Sequence, residues 1–328
     1  MTSFQALRLH AGESEPVRRI ECLQIDQLSP GNVLIEVAYS SINYKDALAS
    51  RGKNGIIREY PRIGGIDLTG RVAHSDDDRF RRGDEVIVHG FGIGVDHDGG
   101  HAAFARVSGD WVMRLPEGLS LFEAAVLGAA GYTAGLALHW MEHNGLCPER
   151  GPVLVTGATG GVASIAIDML AQRGYQVIAM SGMADAHDEL RALGANEIID
   201  RSECQSSPKP LEKGRWAGAV DSVGGKTLAW LPRTMQPEGI ITAFGNAGGT
   251  DFDTTVLPFI LRGVRLIGIN AHSPMPLRHE VWAKIASIYR PARLDRIAHR
   301  IALEQLPEHL DMMLEGKLRG RTVIQMHR

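Results

Sequence analysis

The chain has 328 residues, 35 basic against 38 acidic side chains, a formal net charge of −3 and 44% hydrophobic residues. That length allows a sizeable core or two domains, and the near-neutral balance excludes the strong basic excess of a nucleic-acid binder. Cys22, Cys147 and Cys204 form no C-x-x-C pair, which excludes a disulfide scaffold and suits a reducing, cytoplasmic setting, and 38 glycines without a triplet period exclude collagen.

In chain order, the opening MTSFQALRLHAGESEPVRR has no apolar h-region and no small-residue cleavage site, so no targeting segment is expected. Residues 1 to about 125 read as short alternating strands, at 33–39, 84–88 and 102–107, punctuated by glycine and Pro-Gly turns; this is the pattern of a partly open β-barrel. Residues 124–141 carry no Asp, Glu, Lys or Arg, but Ala and Gly dominate the run. A helix buried in a soluble protein is the expectation, rather than a bilayer span.

From about 150 the rhythm becomes strand, helix, strand. Strands are predicted at 153–156, 176–180, 197–200, 217–223, 240–244 and 264–270, with helices at 162–173, around 185–193, from 226 and at 255–262. Apolar strands without polar alternation indicate a parallel sheet covered on both faces. Six of them with helical crossovers describe a doubly wound, Rossmann-type α/β domain. After 271 come a helix at 277–289, a strand at 297–303, a helix at 306–315 and a strand at 322–326, expected to rejoin the first domain. The expected division is 1–125 with 271–328, and 126–270.

Directly after the first of the six strands, Gly157, Gly160 and Ala163 stand at G-x-x-G-x-x-A spacing. A pyrophosphate needs backbone amides without Cβ obstruction and a helix N-terminus with unpaired N–H groups. Thr159, Gly160, Gly161 and Val162 are the expected contacts; the alternative is a tight structural turn. An NAD site would put an acid at the end of the second strand, to accept from the ribose 2′-hydroxyl. Here stand Ser181, Gly182 and Met183, with no acid before Asp185. The missing carboxylate removes repulsion against a 2′-phosphate and Ser181 can donate to it, so NADPH is the expected cofactor. Arg201 would stack on the adenine or assist the phosphate; the alternative is a solvated surface arginine.

Ser40–Asp46 (SSINYKD), Pro61–Gly70 (PRIGGIDLTG) and Gly131–Ala134 (GYTA) resemble the catalytic-domain signature of the zinc-free medium-chain dehydrogenases/reductases. Gly109-Asp110-Trp111, Thr156–Val162, Trp216–Ala219, Leu257–Arg262 and Gly320–Val323 are similar, more narrowly, to the acryloyl-CoA reductase branch, also described as YhdH/YhfP-type quinone oxidoreductases. The resemblance covers essentially the whole chain. It implies a GroES-like barrel interrupted by the nucleotide domain, with the active site in the cleft between them. Zinc members carry Cys and His where this chain has Asn43 and Ile66. Ile has no donor atom and an amide is a poor zinc ligand, so no metal is expected.

The resemblance puts Tyr44 beside the nicotinamide, its hydroxyl bonding the substrate or supplying a proton, with Asn43 and Asp67 orienting the region. A structural barrel carboxylate is the alternative for Asp67. Lys45 and Asp46 would tie the loop by ion pairing. Thr133 would meet the cofactor near the nicotinamide, and Gly245, Asn246, Ile260, Ala271 and Gly316 are carried to the cofactor by family position. Relatives usually read Ser-Gly-Arg where this chain reads Ser181-Gly182-Met183, which removes one guanidinium from the phosphate site.

His89, His97 and His101 with Asp96 and Asp98 lie in one glycine-rich segment. Lining of the cofactor cleft is expected of them in preference to metal binding, with surface histidines as the alternative. Arg51, Lys53, Arg58 and Arg62 would suit a coenzyme A diphosphate, or form a solvated basic loop. The expected function is NADPH-dependent C=C reduction of short 2-enoyl-CoA thioesters, acryloyl-CoA above all. The alternatives are quinone or enone reduction and a non-catalytic NADPH-binding protein. The expected partners are a small-molecule acyl-CoA or quinone, with no nucleic acid and no membrane. The resemblance implies a homodimer through the strand at 264–270.

Overall fold

The computed structural model describes residues 3–205 and 209–326. The chain divides into two compact units. One takes in the chain up to Ala129, Pro274–His279 and the chain from Ala298 onward; the other comprises Ala130–Ser273 and Glu280–Ile297.

Alternation builds the first unit. In the strand Val33–Ser41, Val33, Ile35 and Val37 are fully buried while Glu36 is exposed, the period-2 pattern of a sheet with one face on a core. A seven-stranded sheet runs in the order Ala298–Ala302, Arg321–Gln325, Val33–Ser41, Asp67–Ser75, Glu85–His89, Met113–Arg114, with Phe104–Val107 also paired to Val33–Ser41. The two neighbours on one side of Val33–Ser41 share its length: Phe104–Val107 pairs Val33 to Glu36, and Arg321–Gln325 pairs Tyr39 to Ser41. The C-terminal strand is thereby fixed beside the loop that follows Ser41. A three-stranded sheet of Val17–Gln24, Ser3–His10 and Arg62–Ile63 completes the unit.

The central strands of the second unit have no polar face. Every residue of Val153–Val155 and Val177–Met180 is buried. The six parallel strands run Glu197–Ile199, Val177–Met180, Val153–Val155, Trp216–Asp221, Met235–Ala243, Arg265–Gly268. This order, 3-2-1-4-5-6, reverses beside Val153–Val155, and the doubly wound fold binds dinucleotides at that reversal. The expected α/β class, a GroES-like domain with a Rossmann sheet, is the observed one.

The uncharged run at 124–141 is the centre of the helix Leu121–His143. It is long and apolar enough to cross a membrane, but 78% of its most apolar window is buried inside the protein, which accounts for its composition. The helix is interrupted at Gly128 (φ 47, ψ −147), a conformation that L side chains rarely adopt. The stretch after 271 does not rejoin the first unit as a whole, because Glu280–Ile297 belongs to the second. The physical reason is packing: Ile285 fills the space above Gly135, where a Cβ would meet it at 2.8 Å. The Arg293 backbone N–H also donates to the buried carboxylate of Asp168 at 2.7 Å.

Candidate functional site

The chain leaves the strand Val33–Ser41 and enters the short helix Tyr44–Ser50. Asn43 is the extended N-cap (φ −119, ψ 155), and Asp46, three residues on, accepts its backbone N–H at 2.9 Å. This is the carboxylate half of a capping box, and it fixes the entry angle of the helix. Tyr44, the first helical residue, is held on a rigid turn yet is 44% exposed.

Behind this turn lies Asp67, first residue of Asp67–Ser75 and 2% exposed. Its Oδ1 accepts from the Ser41 N–H (3.0 Å) and hydroxyl (2.6 Å), and its Oδ2 accepts from Asn43 Nδ2 (2.9 Å) and the Ala129 N–H (3.0 Å). The break at Gly128 turns the Ala129 N–H away from the helical ladder and toward this acceptor. Gly128 also leaves the necessary room: a Cβ there would come within 2.5 Å of Asp67 Oδ2. Asn43 Nδ2 donates also to Asp46 Oδ2 (3.1 Å), and Asp46 Oδ1 accepts from the Ile66 N–H (3.0 Å).

Arg321 faces this cluster, 2% exposed. Its Nε donates to Val126 O (2.8 Å), one terminal nitrogen to Ile42 O (2.9 Å) and Asn43 Oδ1 (3.3 Å), and the other to Ser41 Oγ. The second terminal nitrogen lies 3.8 Å from Asp67 Oδ2. Burial lowers the guanidinium pKa against the pull of Asp67 and Asp46. Burial raises the Asp46 carboxyl, His101 opposes that shift, and the neighbouring Asp67 adds to it.

Sequence reasoning missed Arg321 as a site residue. It stands 278 residues from Asn43, and its signals were its place in the matching segment Gly320–Val323 and a charge opening an apolar strand. The ion pairing expected of Lys45 and Asp46 is replaced by hydrogen bonds: Lys45 is exposed, and Asp46 is turned inward to Asn43 and Ile66.

In the second unit, Gly157 takes φ +59, and a Cβ there would meet Ser222 Oγ at 2.4 Å. Gly160 is the N-cap of the helix Gly161–Gln172 and has no side chain with which to cap its first amides. Thr159 and Val162 flank this glycine pair, with Gly160 N–H bonded back to Gly157 O at 2.9 Å. The open amides, the dipole end and the absence of Cβ atoms fit a dinucleotide pyrophosphate. Asp221, fully buried at the end of Trp216–Asp221, accepts from Thr156 Oγ1 (2.6 Å) and the Gly224 N–H (2.8 Å) and so joins two strand-end turns. Burial raises its carboxyl pKa, against those hydrogen bonds. An acid ending a wholly apolar strand was the signal for it. Gly245 crosses Ser222, where a Cβ would meet the Ser222 carbonyl oxygen at 1.9 Å.

Ser181 is buried, and its Oγ accepts the Met183 N–H at 3.0 Å, which leaves its hydrogen free to donate outward. Arg201 lies over Gly182: a Cβ on that glycine would come within 2.7 Å of Arg201 Nε. Thr159 Oγ1 is 3.8 Å from Met183 Sδ. Thr133 is buried, Ala271 half-buried and Asn246 exposed. Ile260 is 68% exposed on the helix Leu257–Arg262. Gly316 (φ +69) follows the helix Leu306–Leu314, with its own N–H bonded to Met313 O and that of Lys317 to Met312 O. This is a Schellman motif, so the helix end by itself accounts for that glycine.

In the histidine-rich segment, His89 and His101 are buried rather than surface residues. Burial, with the charge of Arg278 beside it, holds the His89 imidazole far below its usual pKa. Arg278 donates to His89 O at 2.8 Å and lies 4.3 Å from the centre of the Phe91 ring. Asp98 accepts from the Ser29 and Ile63 N–H groups. Among the described residues no group of three or more His, Cys, Asp or Glu is placed to hold a metal. The basic loop is partly neutralised: Arg51 pairs with Asp311 and Glu15, and Arg62 with Asp98, which leaves Lys53 and Arg58 exposed.

Comparison with known proteins gives two family matches, an alcohol dehydrogenase GroES-like domain over residues 29–117 and a zinc-binding dehydrogenase over residues 161–287. The putative quinone oxidoreductase YhfP of Bacillus subtilis is 46% identical over 99% of both chains, and its solved structure, with NAD bound, matches with a TM-score of 0.97. The probable acrylyl-CoA reductase AcuI of Escherichia coli is 41% identical over 99% of this chain and 100% of its own. The yhdH oxidoreductase of Salmonella enterica, solved in complex with NADP, is 43% identical with a TM-score of 0.96, covering 98% of this chain and 100% of that one.

Proposed function

This chain belongs to the medium-chain dehydrogenase/reductase superfamily, in the branch of acryloyl-CoA reductases and YhdH/YhfP-type quinone oxidoreductases, and on that premise we propose that it reduces the C=C bond of short 2-enoyl-CoA thioesters with NADPH, acryloyl-CoA to propanoyl-CoA above all. The observation that carries this reading is one exposed phenol, Tyr44, rigidly mounted by the Asn43–Asp46–Asp67 network in a chain that also has an open glycine turn. The AcuI relatives, named as acrylyl-CoA reductases, support the acceptor.

When bound, the cofactor supplies a hydride for the β-carbon of the acceptor, and a proton at the α-carbon completes the product. The Tyr44 hydroxyl donates to the thioester carbonyl oxygen as negative charge gathers there. Asn43 and Asp67 hold Tyr44 at that oxygen. The amides of Gly161 and Val162, with Thr159 and Gly160 beside them, bind the pyrophosphate. Ser181 and Arg201 take the 2′-phosphate beside Gly182 and Met183, and Thr133 meets the nicotinamide ring. Gly245, Asn246, Ile260, Ala271 and Gly316 complete the cofactor site by family position. The reading includes a cytoplasmic location, supported by three free cysteines.

The specificity for NADPH rests on Arg201, since Met183 supplies no charge. Met183→Arg is expected to tighten NADPH binding about tenfold, and Arg201→Ala to weaken it by a similar factor, with NADH affinity little changed in both. Fluorescence titration checks this; unchanged NADPH dissociation constants would mean that the phosphate sits elsewhere.

A second reading, reduction of quinones or free enones, is favoured by the basic loop, where two of the four cations are already committed to carboxylates. Steady-state NADPH oxidation with acryloyl-CoA, with a quinone and with no acceptor separates the two readings. A non-catalytic NADPH-binding protein would be silent in all three.

The assembly proposed is a homodimer. The strand Arg265–Gly268 ends the six-stranded sheet, and the preceding helix exposes Ile260 and Leu261. An unpaired edge beside exposed apolar side chains suits pairing with a second copy. Sedimentation at micromolar concentration is expected to give a dimer; a monomer would contradict this part of the reading.

A further inference from the structure

We propose that Arg321 is a positioning residue for the reduction: its enclosed guanidinium sets the path of Ser41, Ile42 and Asn43 and the orientation of the Asn43 amide, and so aims Tyr44. The proposal rests on the role given to Tyr44 above.

Arg321 engages three consecutive residues leading into Tyr44: the Ser41 hydroxyl, the Ile42 carbonyl and the Asn43 side-chain oxygen. Its Nε is anchored on Val126 O, two residues before the helix break at Gly128. A planar fork fixes several acceptors at once in a way that a point-charge ammonium does not. The guanidinium also decides which way the Asn43 amide faces. Asn43 Oδ1 accepts from Arg321 while Nδ2 donates to Asp46 and Asp67. A flipped amide would set its NH2 against the guanidinium donors and its oxygen against two carboxylates.

Charge gives a second, independent handle. The titratable and charged groups around Asn43 are Asp46 on the helix Tyr44–Ser50, Asp67 on its strand, His101 from the glycine-rich segment, and Arg321 on the C-terminal strand. The other charge on that helix, Lys45, is exposed. Without the guanidinium, the Asp46 carboxyl, already pushed up by burial and by the neighbouring Asp67, loses an opposing charge and holds a proton at neutral pH. A protonated carboxyl gives up an acceptor that the loop needs. The competent form is the ionised one, so turnover in such a variant rises with pH.

The test compares Arg321→Met and Arg321→Lys with the parent. Arg321→Met is expected to lower kcat for acryloyl-CoA about 100-fold at neutral pH, with the NADPH dissociation constant within about twofold, and to regain turnover as the pH is raised. Arg321→Lys restores the parent's pH profile but leaves kcat about tenfold low, because the fork is gone. Infrared spectra of the cofactor-free proteins supply a readout independent of turnover. A protonated-carboxyl band at neutral pH is expected in Arg321→Met, absent from the parent and Arg321→Lys, and removed by adding Asp46→Asn. A parent-like kcat and pH profile in Arg321→Met, or no such band, overturns the proposal. If Arg321→Met does not fold, parent-like turnover in Arg321→Lys overturns it. Should the parent reduce no acceptor at all, the functional reading falls, while the infrared comparison still decides the role of Arg321.

Discussion

Asp67→Ala is expected to destabilise the protein by about 3–5 kcal/mol, the range found when one partner of a buried charge pair is removed. The carboxylate is the acceptor for the Ser41 N–H and hydroxyl, for Asn43 Nδ2 and for the Ala129 N–H, and it is the nearest counter-charge to Arg321. Its loss leaves those donors and a guanidinium enclosed without the partner they were folded around. Asp67→Asn keeps the volume and one acceptor oxygen, so it is expected to cost less, about 1–3 kcal/mol. Urea unfolding of the cofactor-free proteins measures both. A loss below about 1 kcal/mol in Asp67→Ala would mean that the network is not what holds the turn. NADPH affinity in the folded Asp67→Ala protein is expected to be little changed, because the glycine turn belongs to the other unit.

The second large effect is on turnover. Tyr44→Phe is expected to lower kcat about 100-fold or more, the scale of losing one donor at an oxygen where charge develops, while the NADPH dissociation constant moves by less than about twofold. Tyr44 is 44% exposed and the substitution removes only its hydroxyl, leaving the ring in place, so the thermal midpoint should hold. Turnover equal to the parent's would remove the Tyr44 hydroxyl from the mechanism, and a large fall in NADPH affinity would mean that the hydroxyl serves the cofactor contact expected of Tyr44 rather than the acceptor.

The parts of the fold governed by local periodicity were legible in the sequence. Residues 153–156 and 176–180 read as strands covered on both faces, and Val153–Val155 and Val177–Met180 are wholly buried. The glycine turn was legible because its chemistry demands small residues directly after a strand. The break at Gly128 was not, since it sits in a run of Ala and Gly that reads as unbroken helix; its cause is the distant Asp67 carboxylate, which takes the Ala129 amide. Arg321 was hidden for the same reason, its partners being assembled by strand pairing across most of the chain. Arg201 over Gly182 and Arg278 on His89 are likewise contacts between segments that no local pattern joins. Segment 280–297 was expected with the first unit because composition does not say which core a helical segment will cover.

These long-range ties share one consequence for the site. The groups expected to touch the acceptor are few and sit on a short turn, while the residues that give the turn its shape come from four other segments: Asp67, His101, Val126–Ala129 and Arg321. Substitutions in those segments should alter kcat more than KM, because they move the phenol without adding or removing a contact to the acyl-CoA.

The most direct test is the acceptor comparison with product analysis. With NADPH in excess, the purified protein should oxidise the cofactor in the presence of acryloyl-CoA and release propanoyl-CoA, with a kcat/KM well above that for any quinone. NADPH oxidation by quinones alone, or by none of the acceptors, would contradict the account.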